Sequence, residues 1–139
     1  MLPGLVDTHV HLVADSQQNA LDRVAGFTEE EIDEVVTDGL RRSLGAGVTT
    51  IRDRGDRLFD VVGRRDRQQP MPGRLEPTIV ASGPPLTSPG DHCNCMGGEI
   101  PDRATLAAAV RARAERGVDV VEGAGDVRTT SAGLPTSGP

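Results

Sequence analysis

The chain is 139 residues long, 36% hydrophobic and 26% charged, which sets it in the range of one soluble globular domain and apart from disordered or collagen-like chains. Its formal net charge of −6 excludes the clustered basic face of a nucleic-acid-binding protein, and no run approaches the roughly 20 apolar residues of a membrane helix. Two Phe and no Tyr or Trp leave Val, Leu, Ile and Ala to build a thin core, and all 15 basic residues are Arg.

In chain order, Leu5–Val10 (LVDTHV) reads as a short strand behind Pro3-Gly4, ending at His11. Thr28 with Glu31 three residues later predicts a capping box. The helix it opens carries apolar residues at Ile32, Val35, Val36, Leu40 and Leu44, and Gly45 and Gly47 close it. Val48–Ile51 (VTTI) is β-branched and reads as a second strand, ending at Arg52-Asp53. A short helix is expected over Leu58–Val62, a third strand over Thr78–Ala81, and a Gly- and Pro-rich loop over Ser82–Glu99. Asp102 caps an Ala- and Arg-rich helix from Arg103 to Arg116, and Val118–Val121 reads as a fourth strand. Strands and helices alternating in this way predict an α/β fold with a parallel sheet, of about four βα units. Residues 123–139 are Gly, Ser, Thr and Pro with almost nothing apolar and read as a flexible tail, so the folded part is expected over 1–122.

His9 and His11 stand two apart at a strand end, a spacing that lets both imidazoles reach one point on one face. Imidazole is the commonest ligand of zinc and similar ions, yet such a pair can equally be solvated or hydrogen-bonded. Asp7 reads as a partner for a ligand histidine or simply as a strand residue, and Arg52 and Asp53 either line the site or, the preferred reading, pair with each other. Cys93 and Cys95, one residue apart, fit neither a disulfide nor a CxxC metal site and read as loop thiols. The N-terminus lacks a signal peptide's charged and apolar regions, which predicts a cytoplasmic protein.

Three segments together resemble one family. Leu2–Leu12 (LPGLVDTHVHL) is similar to the first-strand signature of the amidohydrolase superfamily, Leu44–Asp53 (LGAGVTTIRD) to its second-strand segment, and Ala81–His92 (ASGPPLTSPGDH) to the third strand and loop of the imidazolonepropionase-like and Xaa-Pro-dipeptidase-like branch. The resemblance covers about residues 2–122. It implies the N-terminal portion of a (β/α)8 TIM-type barrel holding one or two divalent metals, zinc foremost, which activate a water against a C–N bond in a cyclic amide or a small peptide-like substrate. His9 and His11 would be metal ligands, and His92 would either lie near the substrate or be a solvent-facing loop histidine.

The sequence departs from the family at the fourth strand, where a metal-bridging lysine is expected and Gly117–Gly123 (GVDVVEG) places Glu122. A carboxylate can bridge cations in its own right. A one-base frameshift at codon 121 or 122 would instead account together for the missing lysine, the polar tail and the early stop, and would make residues 123–139 an out-of-frame tail. The later-strand histidines and aspartate of the family have no counterpart after residue 122. Two readings of function follow. One is a metal-dependent amide hydrolase whose activity belongs to a longer parent. The other is a non-catalytic partial barrel, a frameshifted product or a fragment needing a complementary chain, with an exposed edge open to self-association.

Overall fold

A computed structural model describes residues 2–68 and 76–123. Three strands, β1 (Leu5–Val10), β2 (Val48–Asp53) and β3 (Thr78–Ala81), form one parallel sheet in the order β1-β2-β3. Parallel neighbours need crossovers. The first is made by α1 (Ala20–Arg23), a 3-10 turn at Val24–Gly26 and α2 (Glu29–Gly45); the second contains α3 (Asp60–Arg67). A helix α4 (Arg103–Glu115) follows β3 after a long loop.

The long helix forms where the sequence predicts it and for the predicted reason. The Thr28 hydroxyl accepts the Glu31 N–H at 3.2 Å while the Glu31 carboxylate accepts the Thr28 N–H at 2.8 Å. Ile32, Val36 and Leu40, at helical spacing, are buried against the sheet. Gly47, with φ 88°, turns the chain from α2 into β2 in a conformation that a β-carbon would strain. The core fills with Leu12, Val13, Ile51, Ile79 and Ala81 from the strand side and Val24, Ile32, Val36, Leu40, Val61 and Val62 from the helix side.

Several expectations are corrected. The second strand runs on to Asp53. The helix expected over Leu58–Val62 starts later and extends further, because Leu58 and Phe59 take positive φ (55° and 65°) and the buried Asp56 carboxylate caps the Val61 and Val62 N–H groups at 2.9 and 3.2 Å. Residues Val118–Val121 do not form a ladder strand. They run beside β3, with the Asp119 N–H on the Ala81 carbonyl at 2.9 Å, but the Asp119 carboxylate takes the Ala81 N–H that a strand backbone would need. A single parallel bridge, Leu86 to Gly123, follows. The expected tail lies, beyond Gly123, outside the described residues.

The loop after β3 is more structured than its composition suggests. Residues 81–87 are all buried, a 3-10 turn spans Asn94–Met96, and Thr87 exchanges backbone hydrogen bonds with Gly98 and Ile100. Cys93 and Cys95 are free thiols, as expected; Cys93 is buried and the Cys95 thiol donates to the Leu21 carbonyl.

Candidate metal and substrate site at the strand ends

The C-terminal ends of parallel strands gather the side chains available for chemistry, since helices cover the faces. Here β1 carries a register irregularity: Asp7 pairs with Ile51 and Val10 with Asp53, so three steps on β1 answer two on β2. Such a bulge re-aims the residues inside it, and His9 lies inside it. The His9 and His11 rings meet edge to face with centroids 5.7 Å apart.

His11 is held from behind. Its Nδ1 lies 3.1 Å from the Gly55 carbonyl oxygen. A carbonyl can only accept, so Nδ1 carries the proton and Nε2 keeps its lone pair. Burial pushes the His11 pKa down, opposed by the Gly55 hydrogen bond, with the neighbouring His9 and His92 pushing down and Glu122 pulling up. The ring is thereby kept as neutral imidazole at neutral pH, the form that ligates metals. Gly55 itself must stay small, since a β-carbon there would come within 3.2 Å of the His11 ring and of the Pro85 ring.

Asp53 builds this support. It is fully buried, and its carboxylate accepts the Leu12 N–H at 2.8 Å and the Gly55 N–H at 3.4 Å. One side chain thus joins the segment after His11 to the residue whose carbonyl orients that histidine. Burial drives the Asp53 pKa well above the usual carboxylate value, and the nearby Asp56 adds to the rise. The expected pairing of Arg52 with Asp53 is absent: Arg52 donates instead to the Thr8 carbonyl at 2.8 Å. Asp7 accepts the His9 backbone N–H at 3.2 Å and holds neither imidazole.

Glu122 comes to the same end of the sheet, within electrostatic reach of His11, but its carboxylate is taken. The Arg54 guanidinium grips both of its oxygens in a two-pronged ion pair, and the pair is part-buried. His92 sits on the loop after β3, exposed, its N–H on the Asp91 carboxylate at 2.7 Å, and it too acts electrostatically on His11. His9, His92 and Glu122 thus all act electrostatically on His11, and of them His9 meets its ring. The two imidazoles are of the residue type that ligates a divalent cation, whereas the Glu122 carboxylate is taken by Arg54, and among the described residues no three His, Cys, Asp or Glu side chains are placed to hold a metal ion. The sequence signal for Asp53, Arg54 and Gly55 is their position at and directly after the C-terminal end of β2.

Comparison with known proteins settles the family. The sequence model of the amidohydrolase family matches residues 1–139. The chain belongs to the amidohydrolase family. No curated protein matches significantly. Among solved structures, this amidohydrolase chain is similar to an amidohydrolase at 25% identity and a TM-score of 0.65, over 86% of this chain and 33% of that one. It is also similar to a Xaa-Pro dipeptidase with methionine bound in its active site, at 25% identity and 0.69, over 86% and 32%. A third likeness, at 29% identity and 0.55 over 84% and 25%, is to a protein assigned as a prolidase in Bifidobacterium longum. The chain thus spans about a third of the length of the solved structures it matches, and its fold is the N-terminal portion of their barrel. No described helix is long and apolar enough to cross a membrane.

Proposed function

We propose that this amidohydrolase chain supplies the first-strand part of a divalent-metal site that hydrolyses a C–N bond, in a cyclic amide or a small peptide-like substrate. The observation that carries the reading is the His11 imidazole, desolvated, kept neutral, and oriented by the Gly55 carbonyl so that Nε2 is free to ligate. In this reading His9 and His11 hold the cation, Glu122 is a third donor when its carboxylate is released, and His92 contacts the substrate from the loop after β3. The cation, zinc foremost, would polarise the scissile carbonyl and lower the pKa of water. The chain's own residues do the positioning. Asp53 fixes the two backbone segments, Gly55 fixes the His11 tautomer, and the β1 bulge turns His9 toward its partner.

The likeness to a Xaa-Pro dipeptidase and a prolidase supports a dipeptide as substrate, and the proposed setting is the cytoplasm. Dialysis against zinc followed by metal analysis tests the site: His9→Ala and His11→Ala should each lose the bound metal. Retention of stoichiometric zinc by the double variant would show that the metal sits elsewhere. Release of amino acids from Xaa-Pro dipeptides by the zinc-loaded chain, assayed alongside, tests the activity.

A second reading, the non-catalytic partial barrel, is favoured by the edge strand. Leu5 and Val6 on β1 are 60% and 61% exposed, surface that a completing strand would cover. A chain that binds zinc, hydrolyses nothing and self-associates would support it.

A further inference from the structure

The bulge that aims His9 is held by two charged side chains. Asp7 pairs with Ile51 and Val10 with Asp53, so Thr8 and His9 together stand opposite Arg52 alone. A bulge interrupts the ladder at its extra residue and leaves the peptide there to find other partners. The peptide between Thr8 and His9 finds one at each end. Its carbonyl oxygen accepts the Arg52 Nε–H at 2.8 Å, across 44 residues of sequence. Its N–H donates to the Asp7 carboxylate at 3.2 Å. The C=O and N–H of a trans peptide point in opposite directions. A cation on the oxygen and an anion on the N–H therefore grip the plane from both sides, each in the sense of the peptide's own dipole. Ile51 and Asp53, both buried, share one face of β2, and Arg52 between them projects from the other.

We propose that Arg52 and Asp7 are positioning residues for His9: they clamp the Thr8–His9 peptide plane and thereby set the direction in which the His9 imidazole leaves the strand. The two histidines then have separate supports. The Gly55 carbonyl orients His11, and the clamp on the bulge brings the His9 ring to it, with centroids 5.7 Å apart. Without the clamp, the peptide can turn about the bonds that flank it, which swings the His9 β-carbon and leaves His11 in place. The sheet and the core would remain, since neither Arg52 nor Asp7 belongs to the buried cluster. The clamp rests on the metal-site reading above for the use made of the pair, and it calls for no third protein ligand.

Copper(II) iminodiacetate tests the clamp, because the chelator fills part of the coordination sphere and binds firmly only where two imidazoles converge on the copper. Calorimetry gives the affinity, and pulsed electron paramagnetic resonance counts the coordinated imidazoles. The proteins compared are wild type, Arg52→Met, Arg52→Lys, Asp7→Ala, Asp7→Asn and a His9→Ala control, with far-ultraviolet circular dichroism and urea unfolding to check the fold. Wild type should bind through two imidazoles and His9→Ala through one. Arg52→Met and Asp7→Ala should weaken binding about 10- to 100-fold, with one imidazole in place of two. Asp7→Asn, which keeps an oxygen for the His9 N–H, should restore most of the affinity, and Arg52→Lys should fall between. A side chain that only stabilised the fold would shift urea unfolding and leave the imidazole count at two. Two imidazoles and unchanged affinity in folded Arg52→Met and Asp7→Ala would overturn the clamp while leaving the histidine pair standing. If Arg52→Met does not fold, Asp7→Ala, at an exposed position, decides alone. A single imidazole in wild type, or two in His9→Ala, would mean that His9 and His11 do not converge, and would remove the metal reading and the clamp with it.

Discussion

Asp53 and Asp56, three residues apart and both fully buried, make the interior beside the site unusually acidic. Burial raises the Asp56 pKa to about 7, even though its Oδ2 accepts the Val61 and Val62 N–H groups; its Oδ1 has no hydrogen-bond partner among the described residues. The unfolded value is near 3.8. Between those two values the folded chain holds a proton that the unfolded chain has released, so this group's contribution is present below about pH 4 and is lost as pH rises to about 7. Asp56→Asn removes the titration while keeping an oxygen for the helix cap. Urea unfolding at pH 5 and pH 7 should show wild type losing about 2 kcal/mol relative to Asp56→Asn between the two. Equal shifts in both proteins would mean that Asp56 is ionised at both pH values. At this scale the sequence is half legible. His9 and His11 announce themselves because they stand two apart at a strand end, although the bulge that aims His9 leaves no mark in the sequence. Asp53 was misread as Arg52's partner because its actual partner, the Leu12 N–H, lies 41 residues away and no local pattern encodes that closure.

The capped helix α2 is legible at its start and along its apolar stripe, since both signals are local and agree with one another, although the helix runs on through Gly45 and stops at Gly47. The loop after β3 was not. Its Gly and Pro content signals irregular backbone but says nothing of the burial of residues 81–87, which are met by distant partners: Phe59 and Val118 at Gly83, Arg113 at Pro84, Glu122 at Leu86, and Gly98 and Ile100 at Thr87. What keeps that loop closed is contact at Gly98, where a β-carbon would fall 1.8 Å from the Pro85 carbonyl oxygen and 3.2 Å from the Arg113 guanidinium. The obstacle at Pro85 is backbone and cannot rotate away. Gly98→Ala should therefore destabilise the chain by about 1–3 kcal/mol in urea unfolding, through forced separation of 85 and 98. Gly45→Ala, at the end of α2 with nothing within 4 Å, should be neutral or mildly stabilising. A Gly98→Ala protein as stable as wild type would show that the loop is free to move apart. The failed fourth strand belongs here too: Val118–Val121 has strand composition, but Asp119 turns its carboxylate on the β3 backbone and so replaces the ladder it interrupts.

Across the whole molecule, cohesion is uneven. The core joins the sheet to α2 and α3, whereas the only buried residue of α4 is Arg113. That arginine is tied to the loop, with its guanidinium on the Pro84 carbonyl at 2.6 and 2.8 Å and on the Ala109 carbonyl of its own helix at 3.1 Å. No apolar face of α4 meets the core, and Val110 remains 38% exposed. A helix fixed mainly by its cap at Asp102 and by one buried cation should open without the rest. Hydrogen exchange followed by mass spectrometry should find the amides of 106–116 exchanging through local opening, with rates insensitive to low denaturant. Those of β2 and of Ile32–Leu40 should exchange only with global unfolding. Arg113→Met keeps the length and removes the three hydrogen bonds, and it should accelerate exchange in α4 and in 84–87 together while leaving β2 unchanged. Protection of α4 equal to that of β2 would mean that the helix is held by contacts other than Arg113. Coupled loss in α4 and the loop, with the sheet intact, would place the boundary of the stable unit at β3 and leave the two histidines inside it.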